Sequence, residues 1–446
     1  MAASGFDRVL IANRGALARR LIRSFAEEEV ETVSVFHGPD VDQPWVEEAD
    51  YGVYLNGQTV AETYLHTNRV VGAALDAGCD AVHPGSGYLG ESLEFHGAAE
   101  RANVGIVGTD TQLLRRIGSR FELHQKVRSL GIATIPCSED IPDGSDMERI
   151  ANTADHLGYP VDVLSSFAPV SWRAASREAL PNVVAAVRDE GERLAQDRTV
   201  YLQGRAKGQH TLGSIVVADR HGSLIHLANF ADSISLHGRW WLAELGPSVA
   251  SEVLQGKVAE YSLTIAKAVD WEGIGVMRWA VTPSGATYFV GVSLSLPAPY
   301  LLIEQLLGVD LVRTQVRLFQ GEWLGWEHHD VSLERHGLML RLIHIDPADG
   351  SRPEGTLERF QLPDDVLCEP GTLEGLLCTL ETDPVLAEMV VVGPTRQAAL
   401  VKARAAVERT AIEGVKTNRE ALLALFDQET FWRGEYDVDT LPALLE

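Results

Sequence analysis

The chain has no unbroken apolar run approaching about 18 residues, no cluster of lysine and arginine, no internal repeat and no low-complexity segment. A helix that crosses a membrane is therefore not expected. Basic residues are few: 38 Lys and Arg stand against 63 Asp and Glu, a net charge of −25. A surface of that sign repels nucleic acid and anionic membranes, and it suits solubility or a basic protein partner. Cysteine is scarce too. Cys79, Cys137, Cys368 and Cys378 lack the close pairs that build zinc sites, so free thiols are expected, with a Cys368–Cys378 disulfide as the alternative. The opening string MAASGFDRVLIANRG lacks the charged-then-apolar layout of a secretory signal, which makes a cytoplasmic location the expectation.

What is present is the composition of a globular protein. At 446 residues and 45% hydrophobic content, the chain is long enough for several packed subdomains. Phe6 to Ala12 is strand-like, ends at Asn13-Arg14-Gly15, and leads into a helical stretch from Ala16 to Glu29. Glu31 to His37, Asp80 to His83 and Gly105 to Val107 repeat the strand pattern with helices between them. That alternation predicts a parallel sheet wound with helices, which binds ligands at the C-terminal ends of its strands. Asn13-Arg14-Gly15 and His83-Pro84-Gly85 fall at such ends, and serve either as a ligand pocket or as tight turns.

From about Thr111 the chain reads as helical, and Gly131 to Pro136 opens a second strand-bearing region. Residues 174–197 read as one helix. Ser214 to Asp219 and Leu224 to Ala228 form a hairpin, as do Gly275 to Thr282 and Thr287 to Val292. The remainder is strand-rich and then helical, with a long helix from Arg396 to Glu413 and a terminal helix and loop.

Several strings resemble biotin carboxylase, an ATP-grasp enzyme. FDRVLIANRG is similar to that family's opening strand and turn, and DAVHPGSGYLGESLEF to its HPGYGFLSEN segment. IVGTDTQLLRRIGSR, GVDLV at Gly308 to Val312 and IEGVKTN at Ile412 to Asn418 resemble further family strings. The resemblance implies an N-terminal parallel α/β domain at 1–115 and an ATP-grasp-like domain at 116–325, with a small lid subdomain at about 137–205. A strand-rich C-terminal domain at 326–446 completes the α/β and α+β architecture. It also implies a chemistry in which ATP and divalent ions activate bicarbonate for transfer to biotin. That chemistry needs cations around phosphates, carboxylates on the metals and a glycine-rich lid.

Position by position, the resemblance places other residue types where that chemistry is expected. The lysine before the lid corresponds to Leu164, and the lid glycines to Ser165, Ser166, Phe167, Ala168, Pro169 and Val170. Proline has no N–H to offer a phosphate, and only glycine brings successive N–H groups close without a Cβ. The metal-holding glutamates and asparagine correspond to Arg278, Gly291 and Ser293. Arg278 either stands in for the ion or reaches solvent. The arginine, glutamine and glutamate of the bicarbonate and biotin pocket correspond to Ser295, Pro297 and Pro299, and a second arginine maps near Ile343. On the nucleotide side, Gln203-Gly204-Arg205 replaces the adenine string. Leu236-His237-Gly238-Arg239-Trp240 replaces a basic string with Trp240 at its lysine, and Arg120 takes the place of a further lysine.

Losing one oxyanion or metal group costs about 2.7–4 kcal/mol of transition-state stabilisation, so losing several predicts no useful rate. No catalytic, metal or cofactor-binding residue is then expected, although the family uses ATP and Mg. The expected role is a regulatory or scaffolding subunit of an acyl-CoA (acetyl- or propionyl-CoA) carboxylase complex. Its partners would be an active biotin carboxylase, the biotin carboxyl carrier protein or carboxyltransferase subunits, in a homo- or heterodimer. The alternative is an active ATP-dependent carboxylase or ligase with a site rebuilt around Arg120, Arg205, His237, Arg239 and Arg278. Trp240, Trp241, Trp271 and Trp279 beside the old site form either a partner-binding patch or core infill.

Overall fold

A computed structural model describes residues 6–166, 168, 170–236, 238–326 and 333–445, and only the backbone of Tyr88. Phe167, Pro169 and His237, three positions compared with the family above, lie outside the described residues or between them.

The strand Arg8–Ile11 sits at the centre of a five-stranded parallel sheet. Both faces of such a strand are covered, so its apolar run is continuous rather than alternating. Val9 and Ile11 enter one core with Phe25, while Leu10 enters another with Val33, Val70 and Phe95. In space the order is Tyr51–Tyr54, Glu31–Phe36, Arg8–Ile11, Ala81–His83 and Gly105–Ile106. The expected strands are thus recovered, with Tyr51–Tyr54 added at the edge.

An eight-stranded antiparallel sheet follows, in the order Thr287–Ser293, Gly273–Val281, His210–Ala218, Leu224–Leu236, Arg239–Leu245, His336–Ile343, Val385–Gly393 and Leu367–Pro370. Both expected hairpins lie in it, and both are longer than the sequence pattern shows. The strands Arg239–Leu245 and His336–Ile343 pair directly, with Leu242 opposite Leu340. One sheet therefore runs across residue 325. A separate three-stranded sheet, Ser171–Ala174, Val161–Ser165 and Val200–Gln203, carries its own core of Val161, Val163, Val184 and Leu202.

Three local expectations differ from the structure. The helix expected over 174–197 spans Leu180–Ala195, because Ala174 closes a strand and Pro181 occupies the first helical turn, where its missing N–H costs nothing. The helix expected to reach Glu413 ends at Arg409, and Ala411–Glu413 instead pairs with Arg359–Gln361. Gly131 to Pro136 forms no named strand and meets the sheet through a bridge from Thr134 to Phe289 and through Ile132, which packs into the sheet's core. The four cysteines are free thiols, as expected, and the alternative Cys368–Cys378 disulfide is not formed. Cys378 packs with Leu357 and Leu386, while the Cys368 thiol faces the Pro363 carbonyl.

Candidate functional site

The strand Gly273–Val281 is covered on both sides, and its one arginine needs an anion. Arg278 lies opposite Gly291 on one neighbour and Gly213 on the other. Its guanidinium pairs with Asp232 at 2.5 Å, from the strand Leu224–Leu236. Asp232 is only 2% exposed, and burial pushes its carboxyl up while Arg278 pulls it back. The Arg278 side chain is paired with an internal carboxylate while remaining 34% exposed, so it reaches both the buried anion and the solvent. Gly291 is open, for a Cβ there would meet nothing.

Ser293 and Ser295 come together with a residue the sequence comparison passed over. The Ser293 hydroxyl donates to Glu91 Oε1 at 2.8 Å, the Leu294 N–H donates to the same oxygen at 2.8 Å, and Ser293 Oγ lies 3.1 Å from Ser295 Oγ. Glu91 stands in the quoted DAVHPGSGYLGES string, where its carboxylate next to a strand-end turn was the available signal. Pro297 and Pro299 are buried beyond it, and Pro299 precedes the helix Tyr300–Leu307.

A divalent ion requires several anionic oxygens. Asp232 is engaged by Arg278 and Glu91 by a hydroxyl and an N–H, so the donor set around these strands does not fit Mg as it stands. No group of three or more His, Cys, Asp or Glu among the described residues is placed to hold a metal.

The remaining positions do not join that cluster. Arg120 opens the helix Arg120–Ser129, and its guanidinium sits 3.4 Å from the centre of the Tyr201 ring. Burial pushes the Tyr201 hydroxyl up to about 12, against the pull of Arg120. Leu164 pairs with Tyr201 across the lid sheet. Arg205 bonds Asp162 at 2.9 Å and Asp439 at 2.8 Å, and Arg173 reaches the same Asp439 at 2.5 Å. The adenine-side string thus ends in an ion-pair ladder that ties the lid to the C-terminal segment.

Trp240 is half-buried and lies 3.9 Å under the guanidinium of Arg341, which also bonds Glu388 at 2.9 Å. Ile343, where the second arginine was placed, is fully buried. An arginine, Arg341, stands two residues earlier. Trp241 and Trp279 are wholly buried and Trp271 nearly so, which makes them core rather than a surface patch. In the first domain Asn13 Nδ2 donates to the Pro84 carbonyl at 2.7 Å, and His83 Nδ1 accepts from Gly85 N–H at 3.0 Å. The first contact ties the Asn13 turn to the His83-Pro84-Gly85 turn, and the second closes that turn on itself.

A parallel α/β domain, a lidded antiparallel sheet and a C-terminal unit continuous with that sheet define a three-part ATP-grasp carboxylase architecture. The family models agree along the chain. The biotin carboxylase N-terminal domain matches residues 5–114, the carbamoyl-phosphate synthase L chain ATP binding domain 120–326, and the biotin carboxylase C-terminal domain 340–443. Biotin carboxylase of Halalkalibacterium halodurans is 28% identical over 435 residues, covering 96% of each chain. Biotin carboxylase 2 of Bacillus subtilis is 27% identical, covering 98% of this chain and 99% of its own. Among solved structures, the biotin carboxylase domain dimer of Hydrogenobacter thermophilus 2-oxoglutarate carboxylase, in complex with MgADP, ADP and bicarbonate, superposes with a TM-score of 0.88. It is 25% identical and covers 100% of this chain and 99% of its own. The chain belongs to the biotin carboxylase family. Among the described residues no helix is long and apolar enough to cross a membrane.

Proposed function

We propose that the chain is a non-catalytic biotin carboxylase-type subunit that regulates or scaffolds an acyl-CoA carboxylase complex in the cytoplasm. It would pair there with an active biotin carboxylase, the biotin carboxyl carrier protein or carboxyltransferase subunits, and its domains would span 1–115, 116–325 and 326–446. The observation that carries this reading is the Arg278–Asp232 pair at 2.5 Å, which sets a cation where the resemblance calls for a metal-binding carboxylate. Leu164, Ser295, Pro297 and Pro299 support it, because none supplies a cation or a base for bicarbonate.

The second reading, an active ATP-dependent carboxylase with a rebuilt site, is the one the comparisons favour. The curated relatives reported above carry the name of the enzyme and match over almost the whole chain. On that reading ATP would be held by Arg120, Arg205, His237, Arg239 and Arg278. Calorimetry separates the two. The first expects no saturable heat from Mg-ATP at millimolar concentration and clear binding of the biotin carboxyl carrier protein. Saturable, Mg-dependent ATP binding would overturn it in favour of the second.

A further inference from the structure

Outside the residues compared with the family, the start of the helix Arg396–Arg409 faces a cavity of about 440 Å³. Pro247, Ser248, His336, Arg396, Gln397 and Trp432 are among the residues that line it. At its wall three side chains from neighbouring segments form a relay. Ser248 Oγ lies 3.2 Å from His336 Nδ1, and His336 Nε2 lies 3.1 Å from Glu244 Oε2. Ser248 is exposed, while His336 and Glu244 are each 1% exposed, so the relay runs from the cavity into the core.

The protonation pattern follows from the partners. Burial alone would raise the Glu244 carboxyl, but hydrogen bonds from Arg396 and His336 outweigh it and hold the group at about 2. Arg396 supplies two of them, Nε to Oε2 at 2.8 Å and Nη2 to Oε1 at 2.8 Å. An ionised carboxylate only accepts, so in the neutral imidazole the proton sits on Nε2. The Nδ1 lone pair is then the acceptor for the Ser248 hydroxyl. That is the arrangement of nucleophile, base and orienting acid used in acyl transfer, with the two ring nitrogens exchanged relative to the usual order.

Two further features fit the same use. A Cβ on Gly246 would lie 2.2 Å from His336 Nδ1, so the absence of a side chain lets the Gly246-Pro247-Ser248 turn close over the ring. The first-turn N–H groups of Arg396 and Gln397 have no acceptor within their helix, and the positive end of the helix dipole lies with them at the cavity. Such N–H groups stabilise the oxyanion of a tetrahedral intermediate.

We propose that Ser248, His336 and Glu244 form a second site, one that hydrolyses small activated acyl esters. As Ser248 Oγ bonds to the acyl carbon, its proton moves to His336 Nδ1. The bond from acyl carbon to leaving oxygen then breaks, and His336 returns the proton to the departing alcohol. Water attacks the acyl-Ser248 ester by the same proton path and releases a carboxylic acid and free serine. No redox partner is needed, and the site stands apart from any binding of Mg-ATP.

The test uses the full chain, a fluorophosphonate probe with peptide mass spectrometry, and p-nitrophenyl acetate hydrolysis. The expected result is an adduct on Ser248 and an esterase rate that falls at least about a hundred-fold in Ser248→Ala, a change at an exposed side chain that leaves the melting temperature unchanged. His336→Gln is expected to abolish the adduct as well. Should that buried variant unfold, Ser248→Ala decides alone. Absence of an adduct on Ser248 at saturating probe, or an esterase rate unaltered in Ser248→Ala, overturns the proposal.

Discussion

Arg278 and Asp232 show how one substitution commits its neighbours. A buried carboxylate without a partner is costly, and an arginine on a covered strand needs an anion, so each makes the other tolerable. Removing Arg278 strands Asp232 in the core. Arg278→Ala is therefore expected to cost about 2–3 kcal/mol in urea unfolding, below the range for a fully buried pair because the Arg278 side chain is 34% exposed. The double variant Arg278→Met with Asp232→Leu is expected to stay within about 1 kcal/mol of the parent. A single variant as stable as the parent would show that the pair contributes nothing to the fold.

At the scale of elements, the lid sheet is held from outside by charges. Its core of Val161, Val163, Val184 and Leu202 is its own, which makes it a unit that can open separately from the rest. Ion pairs that oppose opening include those of Arg173 and Arg205 with Asp439, and of Arg193 with Glu381 at 3.3 Å. The first two converge on one residue of the segment just before the terminal helix Thr440–Leu445. Asp439→Asn is accordingly expected to speed amide exchange several-fold across Val161–Ser165 and Ser171–Ala174, leaving the parallel sheet around Arg8–Ile11 unchanged. Equal exchange in both proteins would rule out Asp439 as the fastening point.

For the molecule as a whole, His83 and Glu244 are two of the buried groups that weaken the fold in acid. Burial lowers His83 to about 4, so between pH 6.5 and 4 the unfolded chain binds a proton that the folded chain does not. Stability is therefore lost as pH falls through that window, by about 3 kcal/mol. Glu244 lies in the opposite class, depressed to about 2 from an ordinary 4.5, and its contribution is lost as pH falls from about 4.5 towards 2. Both act in the same direction. Urea midpoints measured from pH 7 to 4 should decline in the parent and decline less in His83→Gln; identical slopes would exclude His83 as the cause.

Much of this was written in the residues. Strand-forming runs ending at Asn13-Arg14-Gly15 and His83-Pro84-Gly85 fixed a parallel sheet, because chirality and burial leave few other arrangements for such an alternation. The family strings fixed which chemistry to look for, and the types at Leu164, Arg278, Ser295, Pro297 and Pro299 are facts of the sequence alone. Partners across space were beyond its reach. That Arg278 would find Asp232, that Glu91 would close on Ser293, and that Arg120 would stack on Tyr201 depend on which strands lie side by side. So does the meeting of Ser248, His336 and Glu244, which only the pairing of Arg239–Leu245 with His336–Ile343 brings about. Local pattern determines which face of an element is buried, but the identity of the group waiting on the other side is decided by tertiary packing, since contacts between residues distant in sequence leave no local periodicity to read.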